Sequence, residues 1–363
     1  MTPQINSTRI KYLSMTTYST PLNIDKYKGN LSNDNANSKG VLTLDNGDMY
    51  EGEIKDGKAN GHGKSILING DRYEGEWKDD HMNGKGKFIW KNGNIYEGEF
   101  IDDCKNGKGE FIWKNGDMYK GDFKDGKANG HGTSILINGE RYEGDWKDGF
   151  RNGRGIYIWK TGDMYEGDWK DDHMHGKGKY IWKNGNIYKG DFRDDKPNGK
   201  GKFIWKNGDM YEGDYKDGKA NGHGKTTLNS GDTYIGDFKD DKFNGHGTIT
   251  YKNGDIYEGD WKADRKNGKG KFILINGYMY EGDYKDGKAN GHGKITLNSS
   301  VIYEGDFKDN KPNGKGKFIW NNGDKYEGDL KDGRCNGIGI MTYTNGDKYE
   351  GKFKDDKRNG RGV

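Results

Sequence analysis

Nowhere in this 363-residue sequence do 18 consecutive apolar residues occur, so no part of it reads as a helix that crosses a membrane. The first 26 residues lack the apolar run of about 7 to 15 residues that marks a signal peptide. Cysteine is nearly absent, with only Cys104 and Cys335. Hydrophobic residues make up 29% of the chain against 33% charged, and the mean hydropathy is −1.23. Apolar content this low usually fails to offset the conformational entropy of ordering a chain, and taken alone it predicts disorder. What is present argues the other way. Aromatics reach 13%, and the chain repeats itself, a signal that overrides composition.

From Tyr27 a tyrosine recurs every 23 residues without insertion or deletion, ending at Tyr349, which makes fourteen full units and a truncated fifteenth. With that tyrosine as position 1, all 63 glycines fall at positions 3, 8, 12, 14 or 21, and all ten tryptophans at position 5 or 18. The unit from Tyr165 shows the logic. Tyr165, Gly167 and Trp169 alternate with Glu166 and Asp168, the period of a strand with one buried face. Gly176, Gly178, Tyr180 and Trp182 alternate with Lys177, Lys179 and Ile181 in the same way. Between the two lies a polar connection, Lys170 to His175, and after them comes Asn184-Gly185, a two-residue hairpin signal. Each unit therefore reads as a β-hairpin. Glycine inside a strand weakens it unless the missing side chain leaves room for something large, and here the aromatics share the glycine face, so rings lie over bare backbone.

The sequence resembles the MORN-repeat family: Tyr211-Glu212-Gly213-Asp214-Tyr215, Asn221-Gly222-His223-Gly224 and Gly231 follow its motif, and the match recurs in register from 27 to 363. Departures are Ser38 and Ser300 in place of glycine, His175 in place of Asn, and Leu31 where the first unit lacks an aromatic, so that this unit looks like a cap. The resemblance implies an all-β, elongated, single-layer array of 23-residue antiparallel hairpins, and a role in scaffolding or membrane-associated recognition. In relatives such arrays occur joined to lipid-kinase or lysine-methyltransferase domains. Here residues 1–26 are too short for a domain and read as a flexible or capping tail before the array 27–363. At two strands per unit and ~4.8 Å per strand, Cys104 and Cys335 lie about 100 Å apart, too far for a disulfide within the chain. A reducing, cytoplasmic setting follows, free or at the periphery of a membrane or the cytoskeleton.

No catalytic residue, cofactor or metal site is expected. Five histidines at position 13 (His62, His131, His223, His246, His292) point away from the aromatics, and a unit step of roughly 10 Å is too long for neighbours to share an ion on ~2.1 Å bonds. His173 and His175 are two ligands at most. The recurrent Gly-x-Gly lacks the third glycine and helix of a phosphate loop. Each carboxylate recurs at a surface position near lysine, as Glu212 and Asp214 do near Lys216, with no pocket to perturb it.

Two binding surfaces remain. A single-layer sheet leaves its rings uncovered, so Tyr165, Trp169, Tyr180, Trp182, Tyr188, Phe192, Phe203, Trp205, Tyr211 and Tyr215 are expected to line a groove for a peptide or amphipathic helix. The opposite reading is that neighbouring rings cover one another. The alternative function is a module for anionic lipid or phosphoinositide surfaces, using Lys200, Lys202 and Lys206 as a basic stripe. Against it, a net charge of +3 is small, and an adjoining acidic stripe offers cross-strand partners. No nucleic-acid partner is expected. Finally, Phe353 lies in a half-hairpin without its ring partners, an edge through which two chains could form a homodimer.

Overall fold

The computed structural model describes residues 24–28, 38–44, 46–298 and 300–363. Of the tail read at residues 1–26, residues 1–23 fall outside them, as does Leu31 of the cap, while 24–26 belong to the strand Ile24–Lys28, paired antiparallel with Ser38–Leu44. The chain divides into two compact units, one ending at Lys196 and one running from Pro197 to Val363, each described here by itself. Within each, strands pair antiparallel with their neighbours in the chain, and the described residues contain no helix.

The repeat at Tyr165 shows how the register arises. Met164–Lys170 pairs with His173–Ile181, placing Tyr165 opposite Tyr180, Gly167 opposite Gly178 and Trp169 opposite Met174. The next strand, Ile187–Arg193, then places Tyr188 opposite Tyr180 and Gly190 opposite Gly178. Position 3 and position 14 glycines thus face each other on both sides of every strand, forming a glycine row flanked by a row of rings. The hydroxyl of Tyr165 donates to the Asp168 carbonyl at 2.9 Å, which lays the ring across that row. A Cβ added at Gly167 would stand 2.5 Å from the Tyr165 hydroxyl oxygen and 2.6 Å from the Gly178 Cα. The expectation that rings lie over bare backbone holds for these two positions. The glycines at positions 12 and 21 answer a different need: Gly176 and Gly185 have φ of 62° and 91°.

Three local expectations are corrected. The connection read as Lys170 to His175 is only Asp171-Asp172, whose φ values of 47° and 69° make the two-residue turn that matches strand twist. Asn184-Gly185 belongs instead to a three-residue loop, 183–185, closed by Trp182 N–H to Asn186 C=O at 3.0 Å and Gly185 N–H to Trp182 C=O at 2.8 Å. Residues 173–175 already lie in the second strand, where a bulge sets three residues, 175–177, against Asp168 alone. The cysteines, which by the same spacing read as lying in polar connections of their repeats, are in strands as well. Cys104 opens the strand Cys104–Ile112, and Cys335 pairs with Leu330, is buried, and has its thiol pushed up to about 12 by that burial.

Turns are stitched from one repeat to the next. Where position 8 is Asp, its carboxylate accepts the N–H of position 10 in the preceding repeat, as Asp80 does from Ala59 at 2.7 Å and Asp195 from Met174 at 2.8 Å. Gly149 and Gly218 stand at the same position, with φ of 89° and 86° and open space where a Cβ would go. Position 10 before Gly149 is Ala128, which has an N–H to give. Before Gly218 it is Pro197, which has none. Gly149→Asp should therefore come out more stable than Gly218→Asp by about 1–2 kcal/mol relative to wild type, because only the first gains a charge-assisted hydrogen bond. Equal changes in denaturant midpoint would contradict this.

Candidate interaction surface

Along the residues read as a groove, the aromatic face is closed. Tyr165, Trp169, Tyr180, Trp182, Tyr188 and Phe192 in the first unit are all buried, as are Phe203, Tyr211 and Tyr215 in the second; Trp205 alone is half-buried. The groove expected along them is a core. It closes because each position 5 ring stands edge-on between two tyrosines: Trp169 meets Tyr165 at 5.1 Å and 88°, and Tyr142 of the preceding repeat at 5.4 Å and 83°. The Trp169 indole N–H donates to the Gly155 carbonyl at 3.2 Å, which pins the ring down. Burial raises the Tyr165 phenol far above its ordinary range, with the nearby Asp168 adding to the shift.

Position 10 fills the remaining gap, and the sequence reading missed it. It is the variable site of the repeat, occupied by Ala59, Met82, Lys105, Arg151, Met174, Pro197, Lys266 and Cys335 among others. Its side chain enters the slot between rings, so cations there sit over aromatics. The Arg151 guanidinium lies 4.4 Å from the Trp169 ring and 4.9 Å from Tyr157, paired with Asp172 at 3.0 Å. The available signal was variation between apolar and cationic residues at a site followed by a nearly constant Asn-Gly.

The opposite face carries ionic ladders. Lys200 pairs with Asp214 at 2.6 Å and Lys202 with Glu212 at 3.2 Å, so two of the three lysines read as a basic stripe meet the acidic stripe instead. The hydrogen bond from Lys200 holds the Asp214 carboxyl below the usual range. Lys206 lies in the exposed turn. One rung is reversed, Glu110 pairing with Lys120 at 3.5 Å, which keeps the ladder matched. The position 13 histidines join it: His131, His223 and His246 each lie 3.3 Å from an aspartate of the next strand. Among the described residues no three His, Cys, Asp or Glu gather as metal ligands. Exposed pairs of this kind contribute little stability each.

Beside the ladder runs an apolar row that the sequence reading did not single out. Positions 17 and 23 face each other across every strand, as Ile95 faces Ile112 and Ile112 faces Met118. In the first unit the row runs from Met49 to Ile187 through thirteen side chains, eleven of them Ile or Met, broken only by Arg72 and Arg141. Met49 and Ile66 are 45% and 47% exposed, and the other apolar members lie in the half-buried to exposed range. In the second unit Thr227, Thr233 and Thr250 interrupt it in succession before Ile256, Ile273 and Met279. One flank is the turn edge, where Lys91, Lys114, Lys160 and Lys183 are exposed. Nearby carboxylates there are drawn inward: Asp71 accepts the Lys91 N–H at 2.7 Å and Asp163 the Lys183 N–H at 2.8 Å.

At the C-terminal end, Phe353 is buried between Tyr326 and Tyr349, at 5.0 and 5.2 Å, and Glu350 exchanges both backbone hydrogen bonds with Val363. Phe353 thus has ring partners, which the half-hairpin reading did not expect.

Hairpins that bury one face only by stacking on identical neighbours define a β-repeat protein. The chain belongs to the MORN-repeat family, whose model matches fifteen consecutive segments from 27–49 to 349–363. No curated protein matches it. Among solved structures it is similar to the SAS-4 (dCPAP) TCP domain of Drosophila melanogaster in complex with a proline-rich motif of Ana2, at 12% identity and TM-score 0.26, covering 58% of this chain and 99% of that one. The wild-type TCP10 domain of Danio rerio CPAP follows at 10% identity and TM-score 0.20, covering 67% and 98%. Virginiamycin B lyase from Staphylococcus aureus is similar at 13% identity and TM-score 0.13, covering 74% and 94%. Scores this low carry neither partner nor activity over to this chain. Membership of the family marks a repeat-based binding or scaffold protein.

Proposed function

We propose that this protein is a non-enzymatic scaffold that holds an acidic amphipathic helix of a partner protein along the outer face of its first unit. The observation that supports it is the Ile and Met row from Met49 to Ile187, exposed on a soluble-looking ionic face and bordered by lysines. One apolar side chain per strand recurs every ~4.8 Å across the sheet, close to the ~5.4 Å pitch at which a helix presents its apolar stripe. An extended peptide shows same-face side chains only every ~6.6 Å or more, a poorer match. Acidic residues beside the stripe would meet Lys91, Lys114, Lys160 and Lys183, which gives orientation and on-rate. The aromatic face, being a core, supplies rigidity.

A fluorescent synthetic helix with a leucine stripe and glutamate flanks tests this with the full chain by anisotropy. Ile112→Lys combined with Ile158→Lys is expected to weaken binding about tenfold or more, an effect of at least ~1.4 kcal/mol, and added salt should weaken it further. No binding, or equal binding by the variant, would sink the proposal. Co-sedimentation with phosphoinositide vesicles but no peptide binding would favour the lipid-surface reading instead.

A further inference from the structure

Lys266 occupies the position 10 slot of the repeat at Tyr257. Its ammonium lies 4.1 Å from the Phe272 ring centroid, 4.5 Å from Tyr257 and 5.7 Å from Tyr251. The same slot in another repeat holds Arg151, and the difference between them is the next turn. Above Arg151 stands Asp172, which pairs with it at 3.0 Å; above Lys266 stands Gly287, whose only gift is a backbone N–H to the Lys266 carbonyl at 2.8 Å. Among the described residues no carboxylate forms an ion pair with the Lys266 amine, and Asp286 of that turn faces Arg265 at 3.8 Å. The titratable groups against the amine are the phenols of Tyr251 and Tyr257, both raised by burial and so neutral. Burial alone lowers the Lys266 amine to about 8. Access distinguishes Lys266 from Lys105, which fills the equivalent slot but is 9% exposed. Lys266 is half-buried, and two of its rings, Tyr251 and Phe272, also line an open cleft with Asp232, Lys252, Asn253 and Asp255.

We propose that Lys266 is a covalent acylation site, taking an acyl group from an activated ester or thioester that enters along the Tyr251–Phe272 cleft. The amine lone pair attacks the acyl carbon, the C–N bond forms as the C–O or C–S bond breaks, the alcohol or thiol departs, and one proton passes to solvent. The product is a neutral amide, which an apolar slot without a counter-ion accommodates better than an ammonium. Lys252 and Lys262, nearby in the chain and exposed, serve as the comparison.

The test is brief exposure of the full chain to limiting N-hydroxysuccinimidyl acetate near neutral pH, with site-resolved mass spectrometry, and in parallel to a small acetyl thioester. Lys266 is expected to acetylate about tenfold or more faster than Lys252 and Lys262. Gly287→Asp places a carboxylate where Asp172 stands over Arg151, in a turn where other repeats carry Asp at similar φ, so it should fold and bring the Lys266 rate down to that of the exposed lysines. A wild-type Lys266 that labels no faster than Lys262 overturns the proposal, as does a folded Gly287→Asp chain that keeps the fast rate. The wild-type comparison decides even if the variant is unstable.

Discussion

Gly213→Ala is expected to cost about 3 kcal/mol or more, among the most damaging single-methyl changes available in the array. The new Cβ would stand 2.5 Å from the Gly224 Cα and 2.6 Å from both the His223 carbonyl oxygen and the Tyr211 hydroxyl. Two of these neighbours are backbone of the paired strand and cannot swing aside. Relief requires the strands to separate or Tyr211 to leave the glycine row, losing its 2.9 Å hydrogen bond to the Asp214 carbonyl and its packing on Phe238 at 4.8 Å. Gly218→Ala is the control: open space surrounds its Cβ, and only a φ of 86° opposes it, worth about 1–2 kcal/mol for an L residue. Repeat arrays lose stability locally, so amide exchange across residues 211–238 should be read beside the denaturant midpoint. Equal losses from the two variants would remove the glycine row as the reason for the fold.

Alkaline pH should unfold the protein cooperatively. The position 1 phenols are all but closed to solvent, and burial raises them above the ordinary 10.0, to about 12 for Tyr50 and further for Tyr73, Tyr96, Tyr142 and Tyr165. A raised phenol pKa in the fold means that stability is intact below pH 10, where both states hold the proton. It falls above pH 10, because the unfolded chain loses protons that the folded chain keeps. Raised phenols recur along the array, at Tyr211, Tyr234, Tyr257, Tyr280, Tyr303 and Tyr326 as well, so the losses accumulate. The depressed amines act with the opposite sign: Lys105 and Lys266, lowered to about 8 from 10.5, add stability as pH rises through that interval. Stability should therefore climb slightly from pH 8 and then drop steeply beyond pH 10. Phenolate absorbance should appear together with loss of the β circular-dichroism signal. Gradual ionisation with the β signal intact would show the tyrosines to be open to solvent.

Much of this was legible in one dimension. A 23-residue period with no insertion leaves no room for anything but a repeat, and the coincidence of glycine and ring at alternating positions places both on one face of a strand. Tyr165 over Gly167 and Gly178 follows from that alternation. The turns were less legible. Asp171-Asp172 reads as ordinary polar sequence, because the left-handed conformation of a non-glycine residue is stabilised by what surrounds it: the Asp172 carboxylate accepts the Arg151 N–H from the preceding repeat at 2.9 Å. No neighbouring residue announces that contact.

The sequence by itself determined the strand period, the glycine row and the pairing of unlike charges, since each depends only on spacing along one chain and on its exact recurrence. Tertiary structure alone decided which face is open. Whether rings on a single sheet stay exposed depends on the angle at which one repeat's Trp169 meets the Tyr142 of another, and on a variable side chain such as Met174 or Lys266 entering the slot between them. Those packing terms closed the aromatic face. They left the Ile and Met row, spaced as regularly in the sequence as the rings, as an apolar surface that solvent can reach.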